Sequence, residues 1–243
     1  ELAACGVADA VFYAPEYYIV EAPYLLKDRA HVRRVWAGSV GKEINEAIEK
    51  KTGIVTLAVM DRGPRYLTSN RKVVTPDDLK GMKMRLPENE VWMKIWRSLG
   101  ALPIPIPFPE IYGALQTGVA EAQENPLSTI YSSKFYEVQK YLIQTNHVIS
   151  VYKLQCSKKW FDKLTPDQQR IIRQAMVEAA EYGNKVAAEE EDKLLKELQK
   201  LGMTLIIPDV NAFRNKAWPV VEELCKSYFK PGLYEKIMAE AEK

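Results

Sequence analysis

Side chains able to do chemistry are few in this chain. It holds two histidines, His31 and His147, three cysteines, Cys5, Cys156 and Cys225, and one run of four acids, Glu189 to Asp192. His147 and Cys156 stand nine residues apart along one β-rich stretch, which on paper pairs a nucleophile with a base. His147, however, sits in the apolar run Asn146-His147-Val148-Ile149, where a satisfied structural histidine or a hinge contact fits better than catalysis. His31 falls inside a predicted helix and reads as a surface residue. The acid run lies on a helix, without histidine and without the alternating loop geometry of a calcium site, so it reads as a solvated face. The chain has no G-x-S-x-G elbow, no G-x-x-x-x-G-K-[ST] loop and no G-x-G-x-x-G turn. We therefore expect no catalytic residue, no metal and no cofactor.

Arginine offers a different chemistry. In Lys83-Met84-Arg85-Leu86 the strand alternation puts Met84 and Leu86 on one face and Arg85 on the other. Pro87 ends the strand at once, leaving Arg85 at the C-terminal end, where ligands of open α/β sheets gather. A guanidinium there suits either a two-pronged grip on a carboxylate or a surface ion pair.

The elements that must position such a group follow from the pattern. Asp28 caps a helix that stops at Gly38, and a second helix runs from about Val40 to Gly53. Ile54 to Met60 and Arg65 to Ser69 read as two strands, and Ala8 to Tyr13 as another. Glu1 to Gly6 reads as the last turn of a helix with Gly6 as its cap. Thr75-Pro76-Asp77-Asp78 is a helix start, with a capping hydroxyl, proline at the first helical position and acids at the positive end of the dipole. A helix follows from about Asn89 to Leu99. Pro103-Ile104-Pro105-Ile106-Pro107 lacks alternate amide donors and is expected as a stiff connector. Tyr141 to Ser157 suggests one or two strands crossing between lobes. Thr165-Pro166-Asp167-Gln168 is a capping box that opens a helix reaching Leu201, about 50 Å long at 1.5 Å per residue. The alternation implies an α/β chain, two-lobed, with a cleft between the lobes and a long helix spanning them.

Bulk properties agree. The 243 residues are 47% hydrophobic and 27% charged, enough for real cores. Lys plus Arg is 34 against 32 for Asp plus Glu, a net charge of +2 without the clustered basic footprint of nucleic-acid binding. The cysteines are odd in number and lack CxxC spacing, which points to thiols rather than a disulfide framework. No apolar run reaches the roughly 18 residues of a membrane span. No signal peptide opens the chain, as expected of a cytoplasmic or an already processed protein.

From Asp61 to Tyr141 the sequence strongly resembles the solute-binding proteins of TRAP transporters, the tripartite ATP-independent periplasmic carriers. The matching blocks are Arg65 to Asn70, Thr75 to Arg85, Leu99-Gly100-Ala101, Pro107 to Gly118, Gln123 to Leu127 and Lys134 to Tyr141, in that order. The resemblance implies a periplasmic, monomeric protein whose two α/β lobes close on an organic acid and deliver it to membrane permease subunits. It implies that Arg85 holds the ligand carboxylate, assisted by Arg65, with Asn125 and Phe108 lining the pocket. The local chemistry is compatible: Asn125 precedes Pro126 and is held extended with its amide free, and Phe108 follows a rigid proline run. Glu88 would repel a second ligand acid and accept bonds from hydroxyls, so a sugar acid is expected over a C4-dicarboxylate. Trp92 is either a stacking surface for a sugar ring or a core residue. His147 and Tyr152, in the crossing segment, complete the candidate set.

Residues 1–62 and 151–190 are expected to form lobe I and residues 63–150 and 191–243 lobe II, with hinges near Asp61 to Pro64, near Ser150 to Tyr152 and within the long helix. The resemblance also leads us to expect a first lobe without the family's leading strand and helix. Two other readings compete: a ligand-sensing domain of a signalling system, and an enzyme with a similar cleft.

Overall fold

One extended segment, Ile54–Ser69, organises the molecule. The computed structural model describes residues 1–242. Its strands are β1 Leu2–Cys5, β2 Ile54–Ser69, β3 Lys83–Leu86, β4 Leu102–Pro105, β5 Ala122–Pro126, β6 Tyr141–Ile143, β7 Ile149–Ser157 and β8 Thr204–Ile206. The helices are α1 Ala8–Tyr13, α2 Arg29–Ala37, α3 Ser39–Thr52, α4 Glu90–Ser98, α5 Ile111–Thr117, α6 Leu127–Ser132, α7 Lys158–Phe161, α8 Pro166–Lys200, α9 Val210–Ser227 and α10 Leu233–Glu240.

The first half of β2 pairs antiparallel with β7, which in turn pairs with β1. Its second half pairs antiparallel with β5 on one side and β6 on the other. Beyond β5 lie β3 and β4, both parallel, and β8 joins β6. The two sheet halves thus share one continuous strand. Between them the β2–β7 register slips at Asp61/Gly63. Gly63 takes φ +88, a left-handed conformation that glycine adopts without strain, and its N–H donates to Asp61 Oδ1 at 2.7 Å.

The long helix is continuous over 35 residues. Thr165 and Gln168 close the expected box, the Gln168 N–H donating to Thr165 Oγ1 at 3.3 Å and the Thr165 N–H to Gln168 Oε1 at 2.9 Å. Ile172 and Met176 near its start pack with Val55, Leu57 and Phe161. Leu194 and Leu198 near its end pack with Tyr66, Ile130 and Leu142. One helix therefore braces both halves, and Arg29 cross-links the junction by pairing with Asp61 of β2 and Glu191 of α8.

Several local expectations are corrected. Leu2–Cys5 is a strand, not a helix end, because the free edge of β7 offers it a ladder with Leu2 opposite Cys156 and Cys5 opposite Lys153. Ala8–Tyr13 is a helix, not a strand; a six-residue segment carries too little periodicity to separate the two. Ile54–Met60 and Arg65–Ser69 are one strand, since the bulge that leaves Arg62 unpaired does not break it. Leu102–Pro105 is a strand beside β3 rather than a connector, and its prolines are tolerated because β4 is an edge. His31 is buried, not on the surface. Its Nδ1 accepts from the Lys27 N–H at 3.2 Å and its Nε2 donates to the Ile237 carbonyl at 2.8 Å, tying α2 to α10. Tyr141 to Ser157 resolves into two strands, and Lys243 lies outside the described residues.

Candidate functional site

A cavity of about 290 Å³ opens where the C-terminal end of β3 meets the segment after α1. β3 is flanked by parallel neighbours on both sides, so its chain end is fixed from left and right. Met84 and Leu86 turn into the core as the alternation predicts, and Arg85 points the other way, into the cavity wall. Arg85 is 4% exposed. Its Nε–H donates to the Ile106 carbonyl at 2.9 Å, and neither Nη has a partner among the described residues. Burial pulls its pKa down to about 10, with Glu124 opposing the shift.

Arg65, on β2, is in the opposite condition. Its Nε and Nη2 fork onto the Glu124 carboxylate, Nη2 to Oε1 at 2.9 Å, and Nη2 also reaches the Glu124 carbonyl at 3.0 Å and Asn125 Oδ1 at 3.1 Å. Its Nη1 donates to Ser150 Oγ at 3.3 Å. The plane lies over the Trp92 ring, 5.0 Å from its centroid. Burial works to lower the Arg65 pKa, but Glu124 outweighs it and the net shift is upward. Glu124 is fully buried, and against the cost of that burial Arg65 and His147 hold its carboxyl at about 2.

His147 stands behind Glu124 rather than in the cavity wall. Its Nε2 donates to Glu124 Oε2 at 2.9 Å and its Nδ1 accepts from the Thr145 hydroxyl at 2.9 Å. Burial lowers its pKa, which keeps the ring neutral in this tautomer. The structure thus brings Arg65, Glu124, His147 and Asn125 into one buried network and leaves Arg85 beside it with unused donors.

The other candidates fall as follows. Asn125 lines the cavity, with Nδ2 donating to Gln123 Oε1 at 2.7 Å, so its amide is largely committed inside the wall. Trp92 is buried on α4, whose first turn is capped by Asn89 Oδ1 accepting from the Trp92 N–H at 3.2 Å. Its indole N–H donates to the Glu21 carbonyl at 2.8 Å. Phe108 is 49% exposed at the rim, and Glu88 is exposed there too. Tyr152 lies outside this cavity, facing a neighbouring one of about 410 Å³ beneath α8, with the Arg62 guanidinium 4.7 Å from its ring centre.

Among the wall and network residues that the sequence did not single out are Tyr18, Glu21, Arg62 and Glu124. Two carried a signal. Glu21 is a lone acid between Val20 and Ala22-Pro23, and Glu124 a lone charge in a strand-forming block; a charge in such company is buried and needs partners. Around the cavity stand three guanidinium groups, Arg62, Arg65 and Arg85, with Glu21 in the wall, Glu88 at the rim and Glu124 behind Arg65, so the formal charges balance while Arg85 keeps its Nη donors unused. A shielded cation with a planar pair of free donors is suited to holding a carboxylate. Among the described residues no cluster of His, Cys, Asp and Glu is arranged to hold a metal ion, and no helix is long and apolar enough to cross a membrane.

Comparison with known proteins is consistent across sequence and structure. Residues 1–227 match the family described as bacterial extracellular solute-binding protein, family 7. A solute-binding protein of Roseobacter denitrificans is 38% identical over 205 residues, 84% of this chain and 63% of its own. The 2,3-diketo-L-gulonate-binding periplasmic protein of Escherichia coli is 35% identical over 194 residues, 79% of this chain and 59% of its own. The chain spans less than two thirds of the length of these curated relatives. A crystal structure of a sugar acid binding protein from Advenella mimigardefordensis in complex with galactonate is similar at a TM-score of 0.93 and 32% identity, covering 100% of this chain and 79% of that one. A TRAP periplasmic solute binding protein from Shewanella oneidensis with bound succinate is similar at 0.91 and 27% identity, covering 99% and 79%.

Proposed function

The chain belongs to the bacterial extracellular solute-binding protein family 7, and from that premise we propose that its cavity captures a small organic acid for a tripartite membrane transporter. The protein works in the periplasm, binds its ligand without turning it over, and hands it to the permease subunits. The observation that carries this reading is Arg85: a buried guanidinium at a strand end whose two Nη groups have no partner among the described residues and border the cavity. A carboxylate docked there accepts two parallel charge-assisted bonds and offsets the desolvation that already lowers the Arg85 pKa.

Arg65, in this reading, assists without forking onto the ligand, because its own fork is closed by Glu124. Asn125 contributes its remaining N–H, Trp92 backs Arg65, and Phe108 and Glu88 form the rim. His147 acts through Glu124, and Tyr152 through Arg62. The expected lobes, 1–62 with 151–190 and 63–150 with 191–243, would close about hinges at the Asp61–Gly63 bulge, at Ser150–Tyr152 and in α8, with α10 moving with the first lobe because His31 ties it to α2. Similar proteins hold galactonate and succinate, and the sugar acid is preferred here over a C4-dicarboxylate because acids at the wall and rim, Glu21 and Glu88, disfavour a second ligand carboxylate.

Thermal-shift measurement tests the proposal, since a ligand that binds only the folded state raises the melting temperature. L-galactonate should raise it and the uncharged polyol galactitol should not. Equal shifts with both compounds, or none with any of galactonate, fuconate, diketogulonate and succinate, would overturn it.

A further inference from the structure

Glu21 is the one charged group of the cavity wall that the acid-binding reading leaves unused. It ends a 3-10 helix, Pro15–Glu21, and its main chain is pinned by the Trp92 indole N–H at 2.8 Å. The residue is 7% exposed and lines the cavity. The side chain accepts one hydrogen bond, from the Tyr18 hydroxyl to Oε2 at 3.2 Å, and has no ion-pair partner among the described residues. Arg65, the nearest strong cation in electrostatic effect, is already forked onto Glu124. A buried carboxylate with spare acceptor capacity and no paired cation is costly to keep unless something that enters the cavity uses it.

We propose that Glu21 sets the ligand class by accepting a hydrogen bond from a hydroxyl of the acid held at Arg85, and by excluding a second carboxylate from that place. The proposal rests on the reading of the cavity as an acid-binding site and names what selects within it. The chemistry is asymmetric. A carboxylate only accepts hydrogen bonds, so a polyol chain carrying O–H donors satisfies it, while a methylene leaves it bare and a second carboxylate meets it as a like charge in a shielded site. Sites built to hydrogen-bond a hydroxyl reject analogues lacking it strongly, because their own buried group is left unpaired. Glu88, the acid that the sequence offers for this task, is exposed at the rim, where solvent screens its charge. Selection therefore passes from Glu88 to Glu21.

Calorimetric titration of L-galactonate and of succinate at pH 7 decides the matter, with the ratio of their dissociation constants as readout. A residue that merely stabilises the wall would weaken both ligands alike and leave the ratio alone. Glu21→Gln should lower the preference for galactonate by about tenfold or more, because the amide no longer repels a carboxylate. Glu88→Gln should leave it within about twofold. Tyr18→Phe, which keeps the carboxylate, should largely preserve it. If Glu21→Gln does not fold, Glu21→Asp serves instead, and retracting the carboxylate by one methylene should lower the preference several-fold. An unchanged ratio in the folded Glu21 variant, or a loss in Tyr18→Phe equal to that in Glu21→Gln, overturns the proposal while wild-type galactonate binding leaves the acid-binding site standing. Wild-type protein that binds neither acid overturns both.

Discussion

Arg65 and Arg85 border one cavity in opposite states: Arg65 closes its fork on Glu124, whereas Arg85 gives a single N–H to the Ile106 carbonyl 2.9 Å away. The difference comes from the strands that carry them. Arg65 lies on β2 opposite Pro126, one step from Asn125 and two from Glu124 along the neighbouring strand, within reach of an acid. Arg85 lies on β3 between Ile104 of the proline-rich edge and β5, whose Glu124 acts on it only at a distance because Arg65 already holds that carboxylate.

Arg85→Ala should therefore cost about 2–5 kcal/mol of ligand binding, as expected for truncating one partner of a desolvated charge pair. Arg85→Lys should keep the charge and still lose much of the affinity, because an ammonium does not reproduce two parallel bonds. Neither change should lower folding stability appreciably, since the Arg85 pKa of about 10 shows that burying this charge already works against the fold. Calorimetry and urea unfolding check the two halves of the expectation. Wild-type affinity in Arg85→Lys would transfer the carboxylate grip to another group.

Loss of Glu124 should act in the reverse order, on the fold first. Glu124→Gln leaves Arg65 buried without its counter-charge, and breaking such a pair costs about 3–5 kcal/mol. Removing both partners, as Arg65→Met with Glu124→Leu, should cost clearly less than the sum of the single changes. A double-mutant cycle in urea that shows the two changes to be additive would mean that the fork contributes nothing to stability.

Acid should weaken the fold in two steps with one sign. The His147 pKa is lowered in the fold by burial, so below about 6.5 the unfolded chain takes up the proton first and stability falls with pH. Glu124 is held at about 2 against an ordinary 4.5, so its contribution, roughly 3 kcal/mol, is complete above pH 4.5 and is lost as pH falls towards 2. Glu21 runs the other way: its pKa is raised, so its protonation partly offsets the second step. Melting temperature against pH should decline through the histidine range and more steeply below 4.5. His147→Gln should flatten the first decline and reduce the second only in part, because Arg65 remains as the larger cause of the Glu124 shift.

The order of elements was legible because its signals are local. Thr165 and Gln168 mark a helix start by side chains three residues apart, and the box forms as read. Arg85 was legible because alternation and Pro87 fix its side and its end of the strand. Glu124 and Glu21 were not, since their partners come from distant parts of the chain: Glu124 is 59 residues from Arg65, and Glu21 is 71 from the Trp92 indole that pins it. Leu2–Cys5 was misread for the same reason, because its ladder is made with a strand that begins at Ile149.

Gly183 is the point where local propensity and tertiary packing disagree most directly. It lies inside α8, where alanine is favoured over glycine by about 1 kcal/mol. A Cβ at this position would nonetheless stand 2.1 Å from Met60 Sδ and 3.0 Å from Met60 Cγ, so the helix rides directly on β2 at the junction of the two sheet halves. These atoms belong to the outer part of a flexible, half-buried side chain that borders two cavities, so Met60 can turn aside at small cost. Gly183→Ala should therefore keep most of the propensity gain and stabilise the protein in urea unfolding by up to about 1 kcal/mol. The helix also crosses a proposed hinge here, so Gly183→Ala should reduce the ligand-induced compaction measured by small-angle scattering. A Gly183→Ala protein less stable than wild type would show that Met60 is held in place and that its contact fixes the helix on the strand.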